Sequence, residues 1–215
     1  MSMKLKLTYT ILIILTSVFY SCFKPDKTPP QIYLSGTLQV QIPIHSKYVE
    51  PGFKAIDDRD GDLSYLVEVS DSVNSELAKY YFINYNVTDA SGNKANQVTR
   101  IVEVYHTVNN LTTVYLKSAT CTNGNLNNEN VTINPKGTSN SDFIINGITE
   151  NNNSLNGYLY GNNKQLVKIP VQNFTDTTYF GDGFIDQAGN VIELNLKRQI
   201  NNVTDTCNII LTRYL

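Results

Sequence analysis

The stretch "YYFINYNVTDASGNKANQVTRIVEV", residues 80–104, decides the fold of the N-terminal half of this chain. Its first part is rich in aromatic and β-branched residues, which strands favour. Its last part, together with Tyr105, alternates apolar and polar residues, the period-two pattern of a half-buried strand. Between the two lies "DASGN" (89–93), a turn sequence that places Gly92 for a left-handed conformation. We therefore predict a β-hairpin here.

Similar short strands precede this hairpin. The segments "QIYLSG", "LQVQIPI" and "YLVEVS" carry the same residue types, and Gly, Pro, Asn and Asp separate them. Residues 72–81 offer one helical turn at most. Short strands at this spacing over residues 31–106 predict a Greek-key sandwich. Its predicted core comprises Ile32, Leu34, Val67, Val69, Phe82, Tyr85, Val87, Ile101 and Val104.

Residues 28–105 also resemble a known family. The ordered motifs "TPPQIYLSG", "YVEPGFKAIDDRDGDLSYLVEV" and residues 80–104 are similar to the bacterial immunoglobulin-like repeat described from a pesticidal crystal protein. The resemblance implies an Ig-like sandwich that serves at the cell surface as a spacer or an adhesive module. It implies no catalysis.

The segment "AIDDRDGD" (55–62) places four aspartates in eight positions. An EF-hand is excluded, because counting from Asp58 puts Leu63 where glycine is required and Val69 where glutamate is required. Turn chemistry is the favoured interpretation, since Asp caps its own backbone and Gly61 supplies the positive φ. The recurrence of D-x-x-G-N as "DQAGN" (186–190), with no acidic cluster nearby, supports a turn role for Asp89.

A calcium site stays open as the alternative for this loop. Close carboxylates repel each other, and a cation would relieve that repulsion. We expect no cofactor apart from calcium. The candidate ligands are Asp57, Asp58, Asp60, Asp62 and Asp89.

The N-terminus carries export signals. Residues 1–21 form a predicted signal peptide, because the apolar run from Leu7 to Val18 is too short to span a bilayer. Ser21-Cys22 resembles a bacterial lipobox, although Phe19 and Tyr20 depart from its usual residues. We therefore expect Cys22 to be acylated, residues 22–30 to form a lipidated tether, and the protein to be an outer-membrane lipoprotein. The sequence leaves open which membrane face it occupies.

Residues 107–215 predict an eight-stranded antiparallel meander after a linker near residues 106–111. The connections are short and rich in Asn, which favours tight turns. Such a sheet either closes into a lipocalin-like barrel or flattens into a sandwich, so the whole chain is all-β. The predicted strands are 113–121, 130–134, 141–148, 155–161, 165–171, 178–186, 191–199 and 206–214.

Two cysteines test this meander. Cys121 ends its first strand and Cys207 begins its eighth. With an even number of strands these positions lie at the same edge, and they become neighbours if the sheet closes. An exported protein permits the resulting disulfide. The alternative is a pair of buried free thiols.

The second half also resembles a group of proteins, more loosely. The phrases "VTINPKGTSNSDFIINGI" and "GYLYGNNKQLVKIPVQ", with the closing strand that carries Cys207, are similar to small C-terminal β-domains of lipoproteins encoded with outer-membrane glycan-uptake systems. The resemblance implies a β-domain without an attached activity.

Catalysis and nucleic-acid binding are both disfavoured. The chain has two histidines, His45 and His106, and none of the nucleophile, zinc-protease or phosphate-loop motifs. A net charge of −2 gives no basic surface for nucleic acid. We therefore predict a protein that is not an enzyme.

Aromatic residues supply the candidate ligand surface, since sugar faces pack on rings while their hydroxyls need polar partners. Tyr158 and Tyr160 share one face of a predicted strand. Tyr179 and Asp182 lie in a second predicted strand. Phe180 and Phe184 are expected to fill the barrel or to brace cross-strand pairs. The leading prediction is a lipid-anchored glycan-binding or nutrient-binding protein beside an uptake system. The alternative is a structural or adhesive module with a protein partner, dependent on calcium through residues 57–62.

Overall fold

The structure, a computed structural model, describes residues 24–70, 72–124, 126 and 130–214. The predicted signal peptide and Cys22 lie outside the described residues. No helix in the described part of the chain is long and apolar enough to cross a membrane. The elements are β1 (Gln31–Leu34), β2 (Gln39–Pro43), β3 (Phe53–Asp57), β4 (Gly61–Asp62), β5 (Glu68–Ser70), β6 (Tyr80–Asn86), β7 (Val98–Tyr105), α1 (Val108–Leu111), β8 (Val114–Cys121), β9 (Asn130–Pro135), β10 (Asp142–Asn146), β11 (Leu155–Tyr160), β12 (Leu166–Asn173), β13 (Thr177–Ile185), β14 (Val191–Ile200) and β15 (Val203–Arg213), with short 3₁₀ turns at Ser64–Leu66 and Asn162–Lys164.

The first seven strands form two sheets. One sheet has the order β1-β3-β4, and the other has the order β2-β7-β6-β5, with β2 parallel to β7. Strand β3 was not among the predicted strands, because its five residues include Lys54 and run directly into the acidic loop. Its alternating burial nevertheless has the period of a strand.

The chain divides into two compact units. The first comprises residues up to 35 together with 52–69 and 85–98, and its small core contains Ala55, Leu63 and Val87. The second comprises residues 36–51, 70–84 and 99–215. The domain boundary expected between residues 106 and 107 stays a prediction.

Strand parity corrects two members of the predicted core. In β6, Tyr81 and Ile83 are buried, whereas Phe82 is 57% exposed. Phe82 and Tyr85 lie three positions apart, so they project to opposite faces and cannot both be buried on one side. Val69 is also exposed, at 38%. The predictions of Phe82 and Val69 as core residues were wrong.

The segment predicted as a linker is a buried element of the second unit. Val108 and Leu111 lie one helical turn apart in α1, and both pack in the core of the C-terminal domain. Thr107 begins the turn, with its hydroxyl bonded to Asn110 Oδ1 at 2.5 Å. The His106 amide donates to the Asn163 carbonyl at 3.0 Å. Burial lowers the pKa of His106, which favours the neutral ring.

Strands β8 to β15 form a closed antiparallel barrel. Of the two arrangements predicted from the sequence, a barrel and a sandwich, the structure has the barrel. Each strand pairs with the next along the chain, and β15 pairs with β8 to complete the ring. The inward-facing aliphatic and aromatic side chains form one continuous core. The structure thereby confirms the all-β fold class.

Cys121 and Cys207 lie directly opposite each other where β8 meets β15. Their Cα atoms are 4.0 Å apart, and their sulfur atoms are joined at 2.03 Å. The bond therefore links the first strand of the barrel to its last strand.

We expect this disulfide to be recovered from the exported protein. Mass spectrometry of a non-reduced digest should find one peptide that joins the segments around Cys121 and Cys207. In the loop-entropy model, closure of 86 positions stabilises by about 4–5 kcal/mol, so the double Cys→Ser variant should fold and lose up to this much free energy of unfolding. Two free thiols in the exported protein would contradict the assignment.

The phrase "LVKIPVQ" (166–172) contains a structural device centred on Gln172. The paired residues of β11 and β12 run from Tyr160–Leu166 to Tyr158–Lys168 and stop before Asn156 and Pro170, and proline has no amide hydrogen to donate. The β12–β13 register shifts between Ile169 and Gln172. Gln172 Oε1 accepts from the Asn156 amide at 2.8 Å, and Gln172 Nε2 donates to the Asn156 carbonyl at 2.9 Å. The side-chain amide thus replaces the missing backbone pair.

Replacing this amide should destabilise the barrel. Gln172→Met removes both bonds to the Asn156 backbone and should lower the free energy of unfolding by about 1–3 kcal/mol, the cost of unsatisfied polar groups. Gln172→Glu keeps the acceptor and should fall between Met and wild type. Chemical denaturation measures the effect, with the exposed Gln97→Met as the matched control. Equal stability of Gln172→Met and the control would refute the role.

Candidate functional sites on the barrel face and in the acidic loop

Two predicted tyrosines form an exposed aromatic pair on the outside of the barrel. Tyr158 and Tyr160 are 39% and 40% exposed, and Leu159 between them is buried in the core. Their ring centroids are 5.9 Å apart and the ring planes are tilted by 60°. The alternation of β11 therefore keeps both rings on one face, as the sequence predicted, and this face is exposed.

Two rows of side chains cross the neighbouring strands from these tyrosines. The first row starts at Tyr158 and is polar, since its Cα partners on β12 to β15 are Lys168, Asp182, Asn195 and Asn208. The second row starts at Tyr160 and is mainly apolar, since its partners on the same strands are Leu166, Phe184, Glu193 and Ile210. Four strand spacings give a span of about 19 Å.

A shallow groove runs where the two rows meet on β12 to β15. Leu166 and Phe184, 40% and 46% exposed, form its apolar side. Asp182, Asn195 and Asn208 form its polar side. Carboxylate and amide groups accept and donate hydrogen bonds, while the apolar side offers surface to a ligand's hydrocarbon. The barrel alternation therefore brings Tyr158, Tyr160 and Asp182 to one face. We call this surface the two-row face.

Tyr179 does not belong to the two-row face. It lies inside the barrel and is 1% exposed, with its hydroxyl donating to Glu150 Oε2 at 3.2 Å and its ring edge against Phe174. Burial raises its pKa. Tyr179 and Asp182 are three positions apart in one strand, so a shared face was geometrically excluded. The prediction of Tyr179 as a ligand-binding residue was therefore wrong.

The two phenylalanines of β13 lie on the outside of the barrel, unlike Tyr179. Phe184 is part of the two-row face and does not fill the interior, which corrects one of the two roles expected for it. Phe180 is half-buried and braces a cross-strand pair with Lys197, whose Nζ lies 5.9 Å from the ring centroid. Four further residues of this face were not predicted as candidate ligand-binding residues, because only the strand register assigns them to it: Leu166, Lys168, Asn195 and Asn208.

The acidic loop has the turn geometry that the sequence suggested. Asp57 Oδ1 accepts hydrogen bonds from the amides of Arg59 at 2.9 Å and Asp60 at 2.8 Å. Gly61 has φ of +76°, a conformation that glycine adopts without strain. Asp57 therefore caps the turn that connects β3 to β4.

Asp62 has a separate local role. Its Oδ1 accepts from the Ser64 amide at 2.9 Å, and hydrogen bonds from Ser64 lower the pKa of its carboxyl group. Asp62 therefore orders the start of the 3₁₀ turn. It does not join the other aspartates in either of the groupings described below.

The two D-x-x-G-N segments fold alike. Asp89 Oδ1 accepts from the Asn93 amide at 2.7 Å, and Asp186 Oδ1 accepts from the Asn190 amide at 2.7 Å. In both turns the glycine amide donates to the aspartate carbonyl. Burial raises the pKa of Asp89, but the hydrogen bonds from Asn93 and the turn amides outweigh it and leave the pKa lowered.

Asp57 and four other aspartates form a cluster in the first unit. One carboxylate oxygen from each of Asp57, Asp60 and Asp89 lies within 4.8 Å of the others, and the same holds for Asp26, Asp57 and Asp58. Asp26 was missed as a candidate ligand, because it lies about 30 positions before the loop in a segment that the sequence predicted as a tether.

Comparisons with known proteins give two similar solved structures and one family model that matches part of the chain. Among solved structures, the lipoprotein BT2262 from Bacteroides thetaiotaomicron is 15% identical, with a TM-score of 0.35 over 86% of this chain and 100% of that chain. A protein of unknown function from Bacteroides ovatus is 11% identical, with a TM-score of 0.34 over 86% of this chain and 94% of that chain. No curated protein matches the sequence. Residues 32–104 match the family model described as "Bacterial surface protein, Ig-like domain", which confirms the Ig-like prediction for this part of the chain.

Proposed function

We propose that this protein is a non-catalytic glycan-binding protein of the bacterial cell envelope, held in the outer membrane by a lipid on Cys22 and acting beside an uptake system. The observation that carries the proposal is the two-row face. It combines an aromatic pair, an apolar row and a parallel row of hydrogen-bonding side chains. The surface-protein Ig-like domain supports the cellular location.

The chemistry of the two rows fits a carbohydrate. A sugar ring has C–H-rich faces that pack on apolar side chains and equatorial hydroxyls that need donors and acceptors. Tyr160, Leu166 and Phe184 supply the first kind of contact. Asp182 and Asn195 supply the second kind. The length of the rows suits a chain of several sugar units better than a single sugar.

The same face argues against glycoside hydrolysis. A glycosidase places two carboxyl groups on opposite sides of the scissile bond. Asp182 and Glu193 both project outward from adjacent strands of one open sheet face. A bound glycan would therefore meet both groups from the same side, so binding is the function that this geometry favours.

Loss of the aromatic pair should weaken glycan binding. The full-length protein would be applied to an array of neutral and acidic polysaccharides, including α-glucan, β-glucan, mannan, xylan and pectin, and the best binder would be titrated. Tyr158→Ala/Tyr160→Ala should weaken the affinity by about 5- to 150-fold, because two lost stacking contacts of about 0.5–1.5 kcal/mol each total about 1–3 kcal/mol. Asp182→Asn should weaken it less.

The matched control for this experiment is Tyr65→Ala, which removes a tyrosine that is 80% exposed outside the barrel. Its affinity should equal that of the wild type. Failure of every polysaccharide to bind, or equal binding by the double variant, would refute the proposal.

Anchoring can be tested separately. If Cys22 is acylated, the protein partitions with membranes after cell fractionation, since multiple acyl chains give stable attachment. Cys22→Ser should release the protein or stall its processing. Normal cleavage with unchanged membrane association in the variant would contradict the lipid anchor.

A second candidate function is an adhesive module with a protein partner. It is favoured by the exposed Tyr160, Leu166 and Phe184, which are adjacent in the second row and offer apolar area of the kind that protein interfaces bury. A negative result on the polysaccharide array, with the protein folded, would favour this candidate.

A further inference from the structure

We propose that the acidic loop binds a hard divalent cation, calcium in class, on the carboxylates of Asp57, Asp60 and Asp89. Asp26 and Asp58 stand beside these ligands and add negative charge. The site lies within the first unit and is independent of the two-row face.

Asp57 carries the main evidence for a bound ion. The residue is 4% exposed, and its Oδ1 is used by the two turn amides. Its Oδ2 is buried and receives no hydrogen bond from the part of the chain that the structure describes. A buried carboxylate oxygen without a donor is costly and rare in folded proteins, unless a cation takes the donor's place.

Asp26 repeats the pattern from a different segment. Its side chain is 5% exposed, and its Oδ2 is also buried without a hydrogen-bond donor among the described residues. Arg59 Nε is 4.0 Å from this oxygen, and the same guanidinium donates to the Lys24 carbonyl. Among the described residues, the five carboxylates make one ion pair, that of Asp26 with Arg59, so the other four have no cationic side chain within 4.0 Å.

The separations of the oxygens suit calcium. Calcium–oxygen distances are about 2.3–2.6 Å, so two oxygens on opposite sides of the ion are about 4.6–5.2 Å apart. The oxygens of Asp57, Asp60 and Asp89 lie within 4.8 Å of one another. Magnesium demands near-ideal octahedral geometry and gives up its waters reluctantly, so a set of carboxylates from separate turns suits calcium better.

The surrounding hydrogen bonds hold these carboxylates in place. Asp60 Oδ2 accepts from the Ala90 amide at 2.8 Å, which joins the turn at 57–60 to the turn at 89–93. Asp89 Oδ2 accepts from the Asn93 side chain at 2.7 Å. Each oxygen keeps lone pairs for an ion, and the side chains lose little freedom when the ion binds.

Calcium titration of the full-length protein tests the site. After removal of metal with chelator, calorimetry with calcium chloride should show saturable binding at about 10⁻⁴–10⁻³ M, the range of extracellular calcium modules. Calcium should also raise the melting temperature, because an ion that binds only the folded state stabilises it. Asp57→Asn should weaken the affinity at least about tenfold.

The matched control is Asp186→Asn, which alters the equivalent position of the other D-x-x-G-N turn and should leave calcium binding unchanged. If Asp57→Asn does not fold, Asp60→Asn serves instead, because the asparagine oxygen can still accept from Ala90. Absence of calcium binding up to about 10 mM, tenfold above that range, would overturn the proposal. Wild-type affinity in the folded Asp57 or Asp60 variant would also overturn it.

Discussion

The pairing of β15 with β8 is the constraint on which the C-terminal domain depends. It joins the last strand to the first, so an eight-stranded meander becomes a ring without an open edge. Register along this seam puts Cys207 opposite Cys121, and the disulfide fixes the same seam covalently. Because closure fixes which side of each strand faces inward, it also decides which residues reach the outer surface.

Closure has a further consequence for ligand binding. Eight strands enclose a space that side chains can fill, and in this barrel they do fill it. Ile133, Ile145 and Leu155 are each 2% exposed or less, and Phe143 and Tyr179 occupy the interior with them. A lipocalin binds its ligand in the barrel interior, whereas here the interior is a packed core. A ligand of this domain therefore has the outer face available, where the polar and apolar rows lie side by side.

The sequence predicted the elements of this fold better than it predicted their lateral contacts. All eight barrel strands were predicted near their observed bounds, because period-two alternation and Asn-rich turns are local signals. The disulfide position followed from strand parity and count. The two-row face could not be derived, since Tyr158, Lys168 and Asp182 become neighbours only through register, which depends on tertiary packing. The burial of Val108 and Leu111 was missed because a four-residue helix has too little periodicity to detect.

The two D-x-x-G-N turns show how a structural role can be separated from a functional one. Asp89 and Asp186 make equivalent bonds to their own turns, so this motif by itself requires no ion. What distinguishes Asp89 is its surroundings, because carboxylate oxygens of Asp57 and Asp60 lie within 4.8 Å of one of its own, and Asp57 has a buried oxygen without a donor among the described residues. Turn chemistry accounts for Oδ1 of Asp57 and leaves Oδ2 unexplained. A turn role and a cation-binding role are therefore compatible in one residue, since the turn leaves one oxygen of the Asp57 carboxylate unused.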